Sequence, residues 1–369
     1  MVKGWAATPD GRHHGAHYAE AARALGASSD GFLDFSANIN PLGPPATALA
    51  AGAEALRGEA GRYPDLDYPK LRAALADYLE IPPETVLPTN GGAEALFLAA
   101  QTAAEGSNAS KALVLEPTFS EYAAAARAAG LETVRVVVRR PASGFRLDLT
   151  ALDRALEDSR DAVGLVFLCN PNNPTGDAVP REEVLRVADR VREAGAILVV
   201  DEAFADFAPH LSVASRVDEA LFVARSFTKF FAVPGLRLGC LLTQDPARAR
   251  IFQPSWSVNA VAAAAGIAAA REAHFAEATL AEVACRRREL FSALETLPEI
   301  TPYPGAANFL LVRGPGGVPE RLARRGILVR GCEPFCGLGS DFFRVAVRKK
   351  EENERLVWTL RDVLLEEAP

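Results

Sequence analysis

The feature that most constrains the fold of this 369-residue chain is a series of short apolar runs separated by helical stretches. Runs rich in Val, Ile and Leu are typical of strands buried on both faces of a sheet, and helical crossovers between them are typical of parallel pairing. We therefore predict an α/β fold with a mostly parallel sheet covered by helices. The candidate strands are Ala112–Leu115, Val163–Leu168, Ile197–Val200, Leu221–Ala224 and Leu238–Leu242, and two candidate helices are Glu182–Glu193 and Ser120–Ala129.

Polar motifs follow four of these strands at the point where each strand should end. They are Glu116–Phe119, Asn170–Gly176, Asp201–Phe204 and the segment around Lys229. In open α/β sheets, ligands bind in the crevice outside the carboxyl ends of the strands. We expect the four motifs to line one such crevice.

Lys229 is the candidate reactive residue of that crevice. It follows the apolar run Leu221–Ala224, with Ser226 before it and Arg237 after it. Partial burial and nearby cations lower the pKa of a lysine, and the neutral amine can then attack an aldehyde. The hydroxyl of Ser226 and the planar cation of Arg237 suit a phosphate group. Together these residues indicate a lysine that forms a Schiff base beside a phosphate, which is the arrangement that pyridoxal phosphate requires.

The segment Thr89–Glu94 is a second candidate for phosphate binding. Its glycines precede the apolar helical run Ala95–Ala100. Glycines that open a helix expose backbone N–H groups where the helix dipole favours an anion. Combined with Ser226 and Arg237, this segment would form a phosphate-binding cup.

Three further residues can each be interpreted in two ways, as structural or as functional. Asp201 is either a turn or helix-capping carboxylate, or the partner of a protonated pyridine nitrogen. Asn173 is either a turn residue or a donor to the ring oxygen of the cofactor. Phe119 either packs in the core or stacks on the cofactor ring, and Tyr122 is the alternative residue for the stacking role.

Composition and charge argue against several classes of protein. The net charge of −7 and the pI near 5.5 disfavour a nucleic-acid-binding protein. The odd, scattered set of five cysteines favours reduced thiols and a cytoplasmic location, and Cys332 and Cys336 lack the companions that a metal site needs. The start of the sequence has no apolar stretch of signal-peptide length. The most apolar segment, Ala260–Ala270, is too short to span a membrane and is expected to be a buried helix.

The character of the chain changes after about residue 255. Residues 46–255 contain the candidate strands and are predicted to form a large cofactor-binding domain. Residues 256–369 are predicted to form a smaller α+β domain, and residues 1–45, which show no strong periodicity, are expected to join it. Strands of the smaller domain are expected in Ala307–Arg313, Gly326–Arg330 and Phe342–Arg348.

The motifs carry a family resemblance. Asn173-Pro174-Thr175-Gly176, Asp201-x-Ala203-Phe204, Ser226-x-x-Lys229 and Arg237 occur in this order and at suitable spacings. Together they resemble the fold-type I pyridoxal-phosphate enzymes of the aminotransferase class I/II family, over almost the whole chain. The resemblance implies that Lys229 binds pyridoxal 5′-phosphate and that Asp201 pairs with its ring nitrogen. It also implies that Asn173 contacts the ring oxygen and that Arg344 binds the substrate carboxylate. The residues that it implies for the cofactor phosphate are Gly92, Ala93, Ser226 and Arg237.

Two branches of this family act on phosphate-bearing substrates, and Arg62–Asp65 matches both. In relatives the tyrosine of this segment reaches a phosphate across the dimer interface, so the resemblance implies a homodimer in which Tyr63 serves the neighbouring site. The segments Asp34–Gly43, Trp256–Ala260 and Phe343–Arg348 resemble the L-threonine-O-3-phosphate decarboxylase branch. This implies formation of (R)-1-aminopropan-2-yl phosphate for the cobalamin side chain. The alternative is a histidinol-phosphate aminotransferase.

The candidate substrate anchors are mainly arginines, because bidentate guanidinium contacts suit both a carboxylate and a phosphate. Arg330, Arg344 and Arg348 are the candidates, and Asn38 is a further candidate contact. The sequence leaves open which arginine takes which anion.

The sequence departs from the family pattern in two places. Phe204 stands where many relatives have a tyrosine that contacts the ring oxygen, which leaves Asn173 as the main partner of that oxygen. Near the start of the chain, His14-Gly15 retains only part of the His-Gly-Gly-Asn motif of the decarboxylase branch. His13, His14 and His17 are therefore assigned to a solvated or phosphate-facing loop rather than to a metal site.

Overall fold

The computed structural model describes Arg23 and residues 31–105, 108–139, 142, 144–159 and 162–365. Its strands are β1 (Leu33–Asp34), β2 (Val86–Asn90), β3 (Lys111–Glu116), β4 (Glu132–Val137), β5 (Val163–Cys169), β6 (Ile197–Asp201), β7 (Leu221–Ser226), β8 (Leu238–Leu242), β9 (Thr301–Tyr303), β10 (Phe309–Arg313), β11 (Ile327–Leu328), β12 (Arg330–Gly331) and β13 (Phe342–Ala346). Its α-helices are α1 (Ala46–Gly58), α2 (Pro69–Leu79), α3 (Gly91–Ala104), α4 (Glu121–Ala128), α5 (Leu149–Asp158), α6 (Arg181–Glu193), α7 (Pro246–Arg250), α8 (Ala260–Ala270), α9 (Ala273–Glu295), α10 (Val318–Arg324) and α11 (Lys350–Leu365).

The central sheet has seven strands in the order β2-β8-β7-β6-β5-β3-β4. The five strands from β7 to β4 pair in parallel, whereas β8 is antiparallel to both of its neighbours. All five strands predicted from the sequence lie in this sheet, so the mostly parallel α/β fold is confirmed. The prediction missed the two edge strands, because Pro88 interrupts the apolar pattern of β2 and because β4 is half-exposed.

Helix α6 illustrates how the sequence covers the sheet. Its buried positions follow the spacing i, i+3, i+4 and i+7, which places one apolar stripe against the strands. These positions are Val184, Val187, Ala188 and Val191. Acidic residues lie in the first turn and arginines in the last turn. Each such charge interacts favourably with the helix dipole and stabilises the helix by about 0.3–1 kcal/mol. The charged residues at the two ends therefore also favour the helix.

A smaller antiparallel sheet has the strand order β12-β13-β10-β9. It packs on a separate cluster of buried side chains that includes Phe35, Leu310 and Phe343. Strands β10 and β13 lie in two of the segments predicted for the smaller domain. Strand β1 pairs in parallel with β11, which brings the chain around residue 34 close to this smaller sheet. The exact domain limits at residues 45 and 255 stay a prediction.

The helix expected from the alanine-rich segment is α8, and it packs against α1 and α2. Small residues permit the close approach, since a Cβ added to Gly52 of α1 would lie 3.3 Å from Val261 Cγ1. In the described ranges, no helix combines the length and the apolar character needed to span a bilayer.

Candidate active site

A cavity of about 510 Å³ lies where the carboxyl ends of the central strands face the smaller sheet. The lining residues from the four polar motifs are Phe119, Asn173, Asp201, Phe204 and Lys229. Those from other segments include Asn38, Ala93, Arg237, Arg330 and Arg344. The prediction that the four motifs line one crevice is confirmed, and each motif contributes a side chain of different chemistry.

Lys229 lies just beyond β7, with its side chain partly exposed to the cavity. Its Nζ donates a hydrogen bond of 2.9 Å to Thr228 Oγ1. Burial, reinforced by the charges of Arg237 and Arg344, lowers the pKa of Lys229 to about 8, against an opposing effect of Asp201. The neutral, nucleophilic fraction of the amine near neutral pH is therefore far larger than for a lysine of ordinary pKa, although the protonated form still predominates.

Asp201 ends β6 and holds a fixed orientation. Its Oδ1 accepts from the Ala203 N–H at 2.9 Å, and its Oδ2 accepts from the Tyr122 hydroxyl at 2.7 Å. Burial raises the pKa of Asp201, while these hydrogen bonds and the charge of Lys229 lower it. A buried carboxylate of this kind suits a cationic ring nitrogen. The sequence offered Tyr122 for stacking on a ring, but its ring stacks on Phe167 at 5.0 Å and its hydroxyl serves Asp201.

Asn173 and Arg344 are joined across the cavity. The Asn173 Oδ1 accepts a hydrogen bond from Arg344 Nη1. This contact fixes the carboxamide so that its Nδ2 donor is the group left to face the cavity. The orientation of Asn173 therefore depends on an arginine of the smaller sheet.

Two arginines of the smaller sheet face each other directly. Arg330 of β12 is the cross-strand partner of Arg344 of β13, and both side chains are buried. Burial lowers the pKa of Arg344 to about 10, and the neighbouring charge of Arg330 adds to the effect. Like charges directly opposite each other on paired strands are unfavourable. Anionic ligand groups at this position would relieve the repulsion.

Only two of the five N–H donors of Arg344 are engaged within the described part of the protein, which leaves donors for such a ligand. Its Nη2 donates to the Ser36 carbonyl at 2.9 Å, and its guanidinium lies 5.1 Å from the centre of the Phe309 ring. Its Nε is buried and has no hydrogen-bond partner in the described part of the chain. Asn38 also lines the cavity, with a buried Oδ1 that lacks a partner among the described residues.

The residues predicted to bind the phosphate, Gly92, Ala93, Ser226 and Arg237, lie near one another around the start of α3. Gly91 opens this helix with a φ of 78°. A Cβ added to Gly91 would lie 2.6 Å from Arg237 Nη2, and one added to Gly92 would lie 3.0 Å from Ser226 Cβ. The helix N-terminus, a hydroxyl and a guanidinium thus meet at one point, which suits an anion.

Gly239 on β8 sets how closely these elements approach, and sequence reasoning gave it no role. A Cβ at this position would lie 2.5 Å from the carbonyl carbon of Gly91 and 2.7 Å from the Arg225 oxygen. A larger residue would therefore push the start of α3 away from β7. The sequence did contain a signal for this role, because a glycine directly after Leu238, inside a buried strand, is typical of a close approach by another backbone segment.

A buried ionic network beneath the cavity was also missed. Arg225 donates to Glu202 at 2.7 Å and also to Asp206, and Asp206 accepts from the Tyr78 hydroxyl at 3.0 Å. In the chain, Glu202 directly follows the cavity residue Asp201, and Arg225 directly precedes Ser226. Charged residues inside otherwise apolar strand ends were the sequence signal for this network.

Several predicted residues are not brought into the cavity. Arg348 donates to the Asp34 carbonyl at 3.0 Å and pairs with Glu352 at 2.7 Å, so the expectation that it anchors substrate in this cavity is wrong. Tyr63 is 78% exposed and stacks on Trp256 at 4.3 Å. His13, His14 and His17 lie outside the described residues. Within the described ranges, no group of three His, Cys, Asp or Glu residues is placed to hold a metal ion.

The sequence profile described as "Aminotransferase class I and II" matches residues 30–360 of the chain. The chain belongs to this family. Its relatives include a threonine-phosphate decarboxylase from Salmonella typhimurium, 40% identical over 96% of this chain and 98% of the relative. A histidinol-phosphate aminotransferase from Desulfitobacterium hafniense is 35% identical over 89% of this chain and 91% of the relative.

A solved structure from the same family confirms the fold. The histidinol-phosphate aminotransferase from Sinorhizobium meliloti, in complex with pyridoxal-5′-phosphate, matches with a TM-score of 0.81 at 24% identity and covers 96% of each chain. Pyridoxal 5′-phosphate is the cofactor of the aminotransferase class I and II family. The described residues fit it, since the start of α3 is shaped for a phosphate and Lys229, whose amine has a lowered pKa, lies in the same cavity as the buried Asp201.

Proposed function

We propose that the chain is a pyridoxal-phosphate-dependent decarboxylase of L-threonine O-3-phosphate. The products are carbon dioxide and (R)-1-aminopropan-2-yl phosphate, which serves cobalamin biosynthesis. The observation that carries the proposal is the 40% identity to the Salmonella typhimurium threonine-phosphate decarboxylase over 96% of this chain. The Desulfitobacterium hafniense aminotransferase, which represents the alternative function, is 35% identical over 89% of the chain.

The charge of the cavity suits L-threonine O-3-phosphate. This substrate carries a carboxylate and a phosphate on one short scaffold. Arg330 and Arg344 lie directly opposite each other and both line the cavity. Two adjacent buried guanidinium groups match a substrate with two anionic groups, each suited to bidentate contacts.

The cofactor roles follow from where each side chain lies. Lys229 would hold the cofactor aldehyde, and its amine would return a proton to the substrate Cα. Asp201 would keep the ring nitrogen protonated, and Asn173 Nδ2 would donate to the ring oxygen. Gly92, Ala93, Ser226 and Arg237 would hold the phosphate, and Phe119 would pack against the ring. When bound, pyridoxal phosphate supplies the electron sink that stabilises negative charge at Cα.

The arginines that bind the substrate would then determine which bond at Cα breaks. Arg330 and Arg344 would bind the carboxylate and the phosphate of the substrate and so fix its orientation toward the cofactor. That orientation would decide whether the bond to the carboxylate or the bond to hydrogen at Cα is broken. Arg330 and Arg344 both lie in the cavity wall, and Asn38 adds a polar contact there.

We infer that the active unit is a homodimer. Tyr63 is highly exposed and stacks on the exposed Trp256, and Leu49 and Leu56 present apolar side chains to solvent one heptad apart on α1. A second copy of the chain would cover these side chains and place Tyr63 at the neighbouring cavity. The location proposed for this enzyme is the cytoplasm, and the proposed domain limits remain residues 45 and 255.

Product analysis tests the function directly. The holoenzyme is incubated with L-threonine O-3-phosphate or with L-histidinol phosphate, each with and without 2-oxoglutarate. We expect release of carbon dioxide from threonine phosphate that does not depend on 2-oxoglutarate. Rapid consumption of histidinol phosphate with 2-oxoglutarate, and no carbon dioxide from threonine phosphate, would show that the enzyme is the aminotransferase.

A further inference from the structure

Phe335 lies between the active-site cavity and a second cavity of about 370 Å³, and it lines both of them. The turn that precedes α4 completes the wall between the two. Phe119 of this turn and Glu121, the first residue of α4, face the active-site cavity, whereas Thr118 and Ser120 face the second cavity. The two spaces are therefore separated by little more than one layer of side chains.

Phe335 is held firmly in this position. Its backbone N–H donates to the Cys332 carbonyl at 3.0 Å, and its own carbonyl accepts from the Leu338 N–H at 3.0 Å. The side chain is 7% exposed and packs in a cluster with Phe145 and Phe342. The guanidinium of Arg330 also lies 5.5 Å from the centre of its ring. A buried aromatic ring fixed on several sides acts as a wall rather than as a swinging gate.

The second cavity has a different chemistry from the first. Its lining includes the carboxylates of Glu116 and Glu333 and the hydroxyls of Thr118 and Ser120, and Glu116 is paired with Arg135. Hydroxyls and carboxylates suit a hydrogen-bonding or cationic group such as an imidazole. They suit a phosphate less well, because the two carboxylates outnumber the one arginine of the lining, Arg135.

We propose that Phe335 is a specificity-determining residue that restricts the active site to short phosphorylated amino acids by closing it against the second cavity. This inference rests on the proposed decarboxylase function and identifies the residue that limits the size of its substrate. Truncation of Phe335 would join the two cavities. The enlarged space would then accept the imidazole of histidinol phosphate, which the intact wall keeps out.

Two substitutions separate the size of Phe335 from its aromatic character. Phe335→Ala opens the wall and also removes the ring that lies against Arg330. Phe335→Leu keeps most of the bulk and removes only the aromatic face. For each holoenzyme, the dissociation constant of L-histidinol phosphate is measured from the absorbance of the bound cofactor, and kcat/KM is measured with L-threonine O-3-phosphate.

We expect Phe335→Ala to bind histidinol phosphate at least about tenfold more tightly than the wild type, within the range by which a change in pocket size alters discrimination. Phe335→Leu should bind it no better than the wild type, although both variants should lose kcat/KM with threonine phosphate because Arg330 is less well held. Leu338→Ala is the matched control, since Leu338 lines only the second cavity. It should leave the affinity for histidinol phosphate unchanged.

The inference is overturned if Phe335→Ala, with its cofactor bound, gains no affinity for histidinol phosphate, or if Leu338→Ala gains as much. Should Phe335→Ala fail to fold, Phe335→Val opens the wall less and is held to the same criterion. The proposed function fails separately, if the wild-type enzyme releases no carbon dioxide from threonine phosphate.

Discussion

The hydroxyl of Tyr122 donates a 2.7 Å hydrogen bond to Oδ2 of Asp201, and neither side chain is open to solvent. The other carboxylate oxygen is taken by the Ala203 N–H. The Tyr122 ring is in turn held against Phe167. The position of the carboxylate is therefore set by the fold before any ligand binds, and Tyr122 helps to hold it there.

Removal of that hydroxyl should weaken cofactor binding. In Tyr122→Phe, Asp201 loses a hydrogen bond to its charged form, which raises its pKa and weakens its pairing with a ring nitrogen. Hydrogen bonds to charged groups contribute about 1.5–3 kcal/mol, so the dissociation constant of pyridoxal phosphate should rise by roughly 10- to 100-fold. Absorbance titration of the cofactor-free protein measures it. Tyr78→Phe is the control, because Tyr78 donates to Asp206 outside the cavity, and an equal loss of affinity there would contradict the role of Tyr122.

The reactivity of Lys229 should follow a pKa near 8. Because burial and Arg237 lower this pKa, the neutral amine should become the main form as pH rises through about 8, rather than above 10. The rate at which cofactor-free protein captures pyridoxal should rise with pH and level off above that point. Pyridoxal lacks a phosphate, so Arg237→Gln tests only the charge effect and should move the midpoint upward. A midpoint near 10 in the wild type would contradict the assignment.

Arg330 and Arg344 should each be needed for turnover, and Arg348 should not. Loss of one partner of a buried charge contact costs about 2–5 kcal/mol. Arg330→Ala and Arg344→Ala are therefore expected to lower kcat/KM for threonine phosphate by at least about 30-fold. Arg348→Ala also removes an arginine, but one that lies outside the cavity, and it should lower kcat/KM much less. Equal losses in all three variants would argue for a general structural effect.

The buried network around Arg225 should matter chiefly for stability. Arg225→Met leaves Glu202 and Asp206 buried without their cation, a change that typically costs about 3–5 kcal/mol. The free energy of unfolding in urea, measured on the cofactor-free protein, tests this. Arg192→Met removes an exposed arginine paired with Asp189 and Asp218 and should cost about 0–1 kcal/mol. Similar values for the two variants would contradict the assignment.

Hybrid dimers should reveal a shared active site. Lys229→Ala and Tyr63→Ala subunits are each expected to be nearly inactive alone. If Tyr63 serves the neighbouring cavity, one cavity of a mixed dimer contains both native residues, and up to about half of the activity per such dimer should return. Activity is measured after refolding the two variants together, with differently tagged chains to purify the hybrids. Purified hybrids without activity would count against the shared site.

The continuous buried strands and the motifs at their ends could be predicted from the sequence because both signals are local. Each motif directly follows its own apolar run, and the topology of a parallel sheet then gathers the ends at one edge. The edge strands were missed for different reasons, since Pro88 interrupts the apolar pattern of β2 and the partial exposure of β4 weakens its pattern. Here the three-dimensional environment, rather than the local sequence, decides the strand.

The contacts that orient the site residues could not be predicted, since they join distant parts of the chain. Tyr122 and Asp201 are 79 residues apart, and Asn173 and Arg344 are 171 residues apart. Arg348 illustrates the opposite error. It lies four residues after Arg344 and has the same chemistry, but the chain leaves β13 between the two and turns Arg348 toward Asp34 and Glu352.

The close fit around Gly239 has a consequence for how this enzyme can be altered. The distance from the start of α3 to Ser226 is governed by a residue that offers a ligand no side chain at all. Substitutions that alter the Ser226 hydroxyl or the Arg237 guanidinium leave that spacing unchanged. One methyl group added at Gly239 on β8 would widen it. The spacing of the proposed phosphate site is thus set by the absence of a side chain at Gly239 rather than by the groups that would touch the ligand.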